Sequence, residues 1–334
     1  MRAVIGVEEH AWTAELRAAL LADGGGDAVD RRNSQGEINR RLLDVGAERL
    51  AWMDDTGVDT QVLSIASPGT QPLPPQEAVP LARDANDFLA DTVRRHPRRF
   101  AAFATLPMGD PPAAAAELER AVGRLGLVGA MIFPRARGVF LDRDVFRPVF
   151  AAAAELGVPL YLHPAVPPRA IGEDLYGGFD DPTGMLLTTA GWGWHAETGL
   201  AALRLILAGT FDRHPGLQII LGHWGEMLVP FADRADLLSR DATYLERRIL
   251  DYITGNLNVT AGGIFSHRML RQAVDVLGPD RVMFGADTPF GPAADARAFV
   301  DAAPISADDK AKLAHLNAEN LLGLPRRVRA ASVP

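Results

Sequence analysis

Glu8, His10, His163, His223 and Asp287 are the residues of this chain whose types and positions could do chemistry together. Each stands at the end of an apolar run of strand character. Glu8 and His10 close "RAVIGVEEH" (2–10), and His163 sits in "PLYLHPA" (159–165). His223 sits in "LQIILGHWGE" (217–226), with Glu226 just after it, and Asp287 in "RVMFGADTPF" (281–290). Mg²⁺, Mn²⁺ and Zn²⁺ accept mixed sets of imidazole and carboxylate. Residues i and i+2 of a strand point to the same side, so Glu8 and His10 can grip one ion while Glu9 faces away. With His163 and Asp287 they supply four ligands and leave room for water or substrate, which separates a catalytic ion from a structural one. Taken singly, a strand-end His or Asp is more often structural. What points to function is their joint placement.

The remaining candidates divide by position. His96, His214 and His267 fall by helix ends or surface turns and read as structural, and His315 lies in the last helix with no evident site role. Glu9 reads as a supporting or loop contact. His195 opens a helix after a long loop, and its position leaves both a structural and a pocket-lining role open. Gly24, Gly25 and Gly26 do not form a phosphate cradle, because no strand–turn–helix surrounds them. The chain has no cysteine, which excludes disulfides, thiolate catalysis and Cys-ligated zinc.

Distant residues meet only if the fold aligns the ends of their strands. Further apolar runs at 58–66, 99–107, 127–134 and 253–261 bring the number of predicted strands to eight. Several are apolar at consecutive positions, the pattern of parallel strands covered on both faces. Helices are predicted over 37–56, 77–96, 113–125, 145–157, 197–214, 226–250, 267–278 and 308–321. Strand–helix alternation of this kind predicts one α/β domain over residues 1–334, a (β/α)8 barrel, whose usual size is about 250 residues. Barrels of this kind build their sites where strands end. Long segments at 11–36 and 166–195 follow the first and fifth strands and read as lid or substrate loops. The net charge of −8 argues against a nucleic-acid partner. No basic-then-apolar leader and no apolar stretch of about 20 residues is seen, so a cytoplasmic protein without a membrane span is expected.

Five motifs, in order and spacing, resemble the amidohydrolase superfamily, and within it the decarboxylases of hydroxybenzoates, gamma-resorcylate and aminocarboxymuconate semialdehyde. They are "VEEH", "YLHP", the block "ETGLAALRLILAGTFDRHPGLQIILGHWGEMLVPFADRAD", "NLNVTAGGIFS" and "DRVMFGADTPF". "VEEH" resembles the Glu-x-His opening of the hydroxybenzoate decarboxylases rather than the His-x-His of the hydrolases. The resemblance implies Glu8, His10, His163 and Asp287 as ligands of one divalent metal, Zn, Mn or Mg. It implies His223 as a catalytic or substrate-positioning imidazole with Glu226 as its relay. Arg234 falls where the branch has a substrate-engaging arginine, in some members across a subunit boundary, and Phe290 falls at a ring contact. It also implies a homodimer or homotetramer, with "WGWHAETGL" and 226–250 as candidate interfaces, and a small aromatic acid as substrate in aromatic-compound catabolism.

The implied reaction is non-oxidative loss of CO2 from a hydroxylated aromatic or conjugated acid. Asp287 or His223 would protonate the ring carbon, with Asp287 favoured by the resemblance. Hydrolysis of a lactone or amide would use the same ligands, and a metal-stabilised binding or scaffold protein is the non-enzymatic reading. Three departures bear on these expectations. The last-strand motif reads Asp287-Thr288-Pro289 where the branch has Asp-aromatic-Pro. Trp12 is the only aromatic of 11–36, so Trp192, Trp194 or Trp224 could supply the ring-facing surface instead. "VGAMIFPR" holds no lysine to bridge two metals, which implies a mononuclear site.

Overall fold

The computed structural model describes residues 3–22, 27–291 and 296–326 of the chain; Gly24, Gly25 and Gly26 lie outside them. The apolar runs form strands β1 (Ile5–Ala11), β2 (Thr60–Ile65), β3 (Phe100–Ala102), β4 (Ala104–Thr105), β5 (Ala130–Ile132), β6 (Arg135–Ala136), β7 (Val139–Phe140), β8 (Leu160–Leu162), β9 (Ile219–Leu221), β10 (Leu257–Thr260) and β11 (Val282–Met283). β6 and β7 form a short antiparallel hairpin. The others pair in parallel as β1–β2–β3 and β4–β5–β8–β9–β10–β11.

Backbone hydrogen bonds join these two arcs into the (β/α)8 barrel. β3 and β4 are one strand interrupted at Phe103, whose N–H still donates to Leu63 O at 2.8 Å, while Ala104 N–H turns to Gly129 O at 2.9 Å. On the other side the last strand meets the first. Val7 N–H donates to Phe284 O (2.9 Å), Asp287 N–H to Glu8 O (2.9 Å) and His10 N–H to Thr288 O (2.7 Å).

The strands are buried on both faces, which explains their near-continuous apolar sequence. Ile5, Val7, Val62, Phe103, Tyr161 and Ile220 pack together in the barrel interior. Their neighbours on the opposite strand face, such as Leu63, Ala102, Leu160 and Leu221, pack with the helices. β1 breaks the alternation. Gly6 pairs with Gln61 but Glu9 pairs with Leu63, so β1 carries one extra residue. That bulge lets Val7 fill the core while Glu8 and His10 beyond it still turn toward the barrel mouth.

Four predicted helices differ, one of them 197–214, which breaks at Gly209 between helices Gly193–Leu207 and Thr210–Arg213. Residues 37–56 form two helices, Gly36–Leu43 and Ala47–Thr56, because Asp44 folds back to accept the N–H groups of Gly46 (2.9 Å) and Arg49 (2.6 Å). Residues 226–250 are not one helix. They form successive short turns, Val229–Phe231, Ala232–Ala235 and Asp236–Arg240, and a helix begins only at Ile249. Pro230 and the Asp236 carboxylate, which accepts Ser239 Oγ–H (2.9 Å) and Leu250 N–H (3.1 Å), favour turns there. That helix runs to Asn256, so the strand expected from 253 begins at Leu257. The last predicted helix, 308–321, is interrupted by a wide turn at Lys312–Leu316. The long segments 11–36 and 166–195 are not bare loops; they hold short helices at Ala14–Leu21, Ala28–Asn33, Arg169–Tyr176 and Asp181–Thr188. Among the described residues no helix is long and apolar enough to cross a membrane.

The helix Gly193–Leu207 touches the turn after β9 backbone to backbone at Gly199, where an added Cβ would lie 2.1 Å from Glu226 O. Gly199→Ala gains about 1 kcal/mol of helix propensity but forces the helix off that turn, an overpacking cost of about 1–3 kcal/mol. The expected net result is a lower denaturation midpoint; a higher one would show that the contact relaxes freely.

Candidate active site

β1 ends inside the barrel mouth, and Glu8, Glu9 and His10 are all fully buried there. Glu8 accepts the Thr260 hydroxyl at 2.6 Å through Oε2, which leaves Oε1 3.4 Å from His163 Nε2. His10 Nε2 lies 3.1 Å from Asp287 Oδ1. His163 donates from Nδ1 to the Pro164 carbonyl (2.8 Å), so its Nε2 carries a free lone pair, and His10 Nδ1 is engaged by Ser64 Oγ at 3.1 Å. Within this group the buried side-chain atoms left without hydrogen-bond partners are Glu8 Oε1, His10 Nε2 and His163 Nε2. One ligand atom from each of Glu8, His10, His163 and Asp287 falls within 4.8 Å of the others. Close contacts without hydrogen-bond alignment are what ligands aimed at a common ion look like. Burial lowers His10 to about 4 and His163 to about 3, which keeps both imidazoles neutral as a metal requires.

Glu9 faces the other way, as the spacing predicts. Its carboxylate accepts the N–H groups of Ala286 (2.9 Å) and Thr288 (3.2 Å) and the Gln61 amide (3.2 Å), tying β1 to the segment that carries Asp287. Burial raises Glu9 to about 7 against the pull of these donors and of Arg49. Arg49 is itself buried and donates to His10 O at 2.6 Å.

A second group adjoins the first. The Glu226 carboxylate, fully buried, is 2.6 Å from His223 Nδ1 through one oxygen and 2.6 Å from His195 Nδ1 through the other. His223 Nε2 faces Asp287 Oδ2 at 4.0 Å. Burial opposes charge on His223, but the carboxylates of Glu226, Glu8 and Asp287 outweigh it and raise the ring to about 10. Burial likewise works against the Glu226 anion, yet His223 and His195 hold it down at about 2. Asp287 is pushed up to about 7 by burial, partly offset by the charge of His223. The backbone is strained at these residues. His223, Trp224, Glu226, Met227 and Asp287 all have φ between 49° and 63°, a region few non-glycine residues adopt.

Both groups open onto a cavity of about 400 Å³. Its polar floor is His163, His223 and Asp287, and Trp194, His195 and Phe290 stand on its walls. The Phe290 ring centre is 5.8 Å from that of His10. The first-loop helix contributes polar wall residues, Asp27, Asp30, Arg32 and Asn33.

The amidohydrolase family model matches residues 14–324. The gamma-resorcylate decarboxylase of Rhodococcus jostii (strain RHA1) is 39% identical over 307 residues, 87% of this chain and 91% of the relative. This chain belongs to the decarboxylase branch of the amidohydrolase superfamily. Its fold is shared with the crystal structure of 5-carboxyvanillate decarboxylase LigW from Sphingomonas paucimobilis, with a TM-score of 0.90, 36% identity and coverage of 97% and 100% of the two chains. A dihydroxybenzoic acid decarboxylase from Polaromonas sp. JS666, with bound manganese and the inhibitor 2-nitroresorcinol, gives a TM-score of 0.86 and 35% identity over 98% of each chain.

In this amidohydrolase the site residues read from the sequence converge, with one exception. Arg234 is exposed on the Ala232–Ala235 turn and is not on the cavity wall. Of the tryptophans considered, Trp194 lines the cavity. Trp224 is buried with its N–H donated to Ile264 O (2.7 Å), Trp192 is exposed, and Trp12 is buried away from the cavity. The bond between His195 and Glu226 was not legible in the sequence, because it joins two elements; a histidine at the start of a helix after a long loop was the only signal.

If Glu9 ties β1 to the last strand, Glu9→Ala orphans two buried N–H groups and an amide, each worth about 1–3 kcal/mol. Urea denaturation is expected to show a loss of at least about 2 kcal/mol, with Glu9→Gln in between because its carbonyl keeps one acceptor. An unchanged midpoint for Glu9→Ala would remove that role.

Proposed function

We propose that this enzyme removes CO2 non-oxidatively from a hydroxylated aromatic or related conjugated acid, with one divalent cation held by Glu8, His10, His163 and Asp287. The observation that carries this reading is the convergence of three buried, unpartnered ligand atoms with a carboxylate beside an open cavity. The N and O donor set suits Mn²⁺, Mg²⁺ or Zn²⁺, and manganese is bound in the Polaromonas neighbour. A cation in that place supplies Lewis-acid polarisation and neutralises the charge of a substrate carboxylate and its neighbouring phenolate.

The chain's own residues do the rest. Phe290 and Trp194 offer ring faces to an aromatic substrate whose carboxylate points to the polar floor. Asp287 donates its proton to the ring carbon that bears the carboxylate. The bond to the carboxylate carbon then breaks, its electron pair restores the aromatic ring, and CO2 leaves. Each turnover consumes one proton, which His223, held by Glu226 and 4.0 Å from Asp287 Oδ2, returns.

A homodimer or homotetramer is part of this reading. Phe231, Leu237, Leu238 and Tyr244 are exposed on the same segment as Arg234. Since Arg234 does not reach the cavity of its own chain, a substrate contact from it requires a neighbouring subunit. Sedimentation of the purified protein checks this: a monomer at micromolar concentration excludes the Arg234 contact.

The reaction is tested by CO2 release and phenol formation from a panel of hydroxybenzoates, with lactones as the competing class. Manganese-loaded protein is expected to release CO2, and chelation to abolish release until metal is restored. Asp287→Asn is expected to lose about 10²–10⁴-fold in kcat, the usual contribution of a positioned acid. Lactone opening without CO2 release would reject decarboxylation in favour of hydrolysis.

A further inference from the structure

We propose that His195 is a positioning residue for the His223 imidazole, acting through the Glu226 carboxylate; the effect on turnover rests on the decarboxylase reading above. Glu226 lies on a left-handed turn and is sealed from solvent. Each of its carboxylate oxygens is 2.6 Å from one imidazole nitrogen, His223 Nδ1 on the same turn and His195 Nδ1 on the helix Gly193–Leu207. The two rings come together at 4.6 Å between centres. His195 therefore belongs to the site through the carboxylate and not through the metal ligands.

The tautomer of His195 follows from its other neighbour. Trp194 Nε1 is 3.0 Å from His195 Nε2, and an indole nitrogen only donates. His195 Nε2 is then the acceptor, its ring proton sits on Nδ1, and Nδ1–H donates to Glu226 Oε2. The Ala190 carbonyl, 3.2 Å from the same Nε2, is also an acceptor and competes only for a charged ring.

The consequence is directional. With Oε2 held by His195, Glu226 presents Oε1 to His223 Nδ1, which turns His223 Nε2 toward the cavity and Asp287. Without His195, Oε2 is a buried carboxylate oxygen with no donor, and the carboxylate rotates to satisfy it. The close contact of Gly199 with Glu226 O keeps the helix near enough for His195 to reach.

The test compares His195→Ala with His195→Asn in the full-length, manganese-loaded chain. Asparagine offers an N–H donor near the position of Nδ1 but cannot titrate. His195→Ala is expected to lower kcat about 10–100-fold, the usual cost of losing such an outer partner, with KM little changed, and His195→Asn to recover most of the loss. A second readout needs neither metal nor turnover. In metal-free protein with ¹⁵N-labelled histidine, His195 and His223 should give two strongly downfield imidazole protons. His195→Ala should remove one and move the other upfield, and His195→Asn should leave the His223 signal in place.

An unmoved His223 signal and unchanged kcat in His195→Ala would overturn the proposal. So would His195→Asn as impaired as His195→Ala, or a rise in KM alone, which would make His195 a substrate contact. If the wild type releases no CO2, the decarboxylase reading fails while the imidazole signals still decide the role of His195.

Discussion

The rest of the structure depends on a cluster of buried polar atoms that the chain gathers and leaves without hydrogen-bond partners. Glu8 has no exposed surface, and its Oε1 faces an imidazole nitrogen that is itself unpartnered. Holding a carboxylate this way costs desolvation energy, which a cation repays and a hydrophobic core does not. Such a cluster persists only where the backbone leaves it no alternative. Three of the four proposed ligands, Glu8, His10 and Asp287, lie on the seam that closes the barrel: Asp287 N–H donates to Glu8 O, and His10 N–H to Thr288 O. Closing the barrel therefore brings these three residues together. Glu9 fastens the same seam from its outer side, so this tie stands between the two proposed ligands Glu8 and His10.

The second half of the site is held by strain opposed by packing. A strand that ends in an ordinary turn would send His223 and Glu226 apart. Here left-handed residues from His223 to Met227 curl the chain so that the carboxylate three residues on returns to its own histidine. Several kcal/mol of conformational cost follow at about 1–3 each. Trp224 offsets part of it, with its backbone N–H on Thr260 O (2.9 Å) and its indole N–H on Ile264 O (2.7 Å). The helix carrying His195 closes over the turn at Gly199.

The strands, the barrel and the converging residues were legible because each leaves a local mark: an apolar run, a polar residue at its end, a two-residue spacing. The β1 bulge leaves none, although without it strict alternation would put Glu8 on the face opposite Val7. The segment 226–250 is expected as one helix between two strands, but Pro230 and the side-chain bonds of Asp236 favour short turns. The link from His195 to Glu226 spans 31 positions and depends on how closely a helix approaches a turn, which no local pattern encodes.

The departures from the family pattern also change meaning once their side chains are located. Thr288, standing where an aromatic residue is expected, is buried on the outer side of the seam. Its backbone N–H goes to Glu9, and the Gln61 amide reaches its hydroxyl at 3.4 Å. It is not on the cavity wall, so that substitution bears on barrel closure and not on substrate choice. Trp12 is likewise buried away from the cavity. Phe290 and Trp194 are the aromatic rings on the cavity wall, and the first-loop helix contributes mostly polar residues, Asp27, Asp30, Arg32 and Asn33. Discrimination among aromatic acids then falls to segments that the barrel does not constrain. In the proposed reaction the residues at the barrel mouth would act on the carboxylate, and the loops after β1 and β8 would shape the space around its ring.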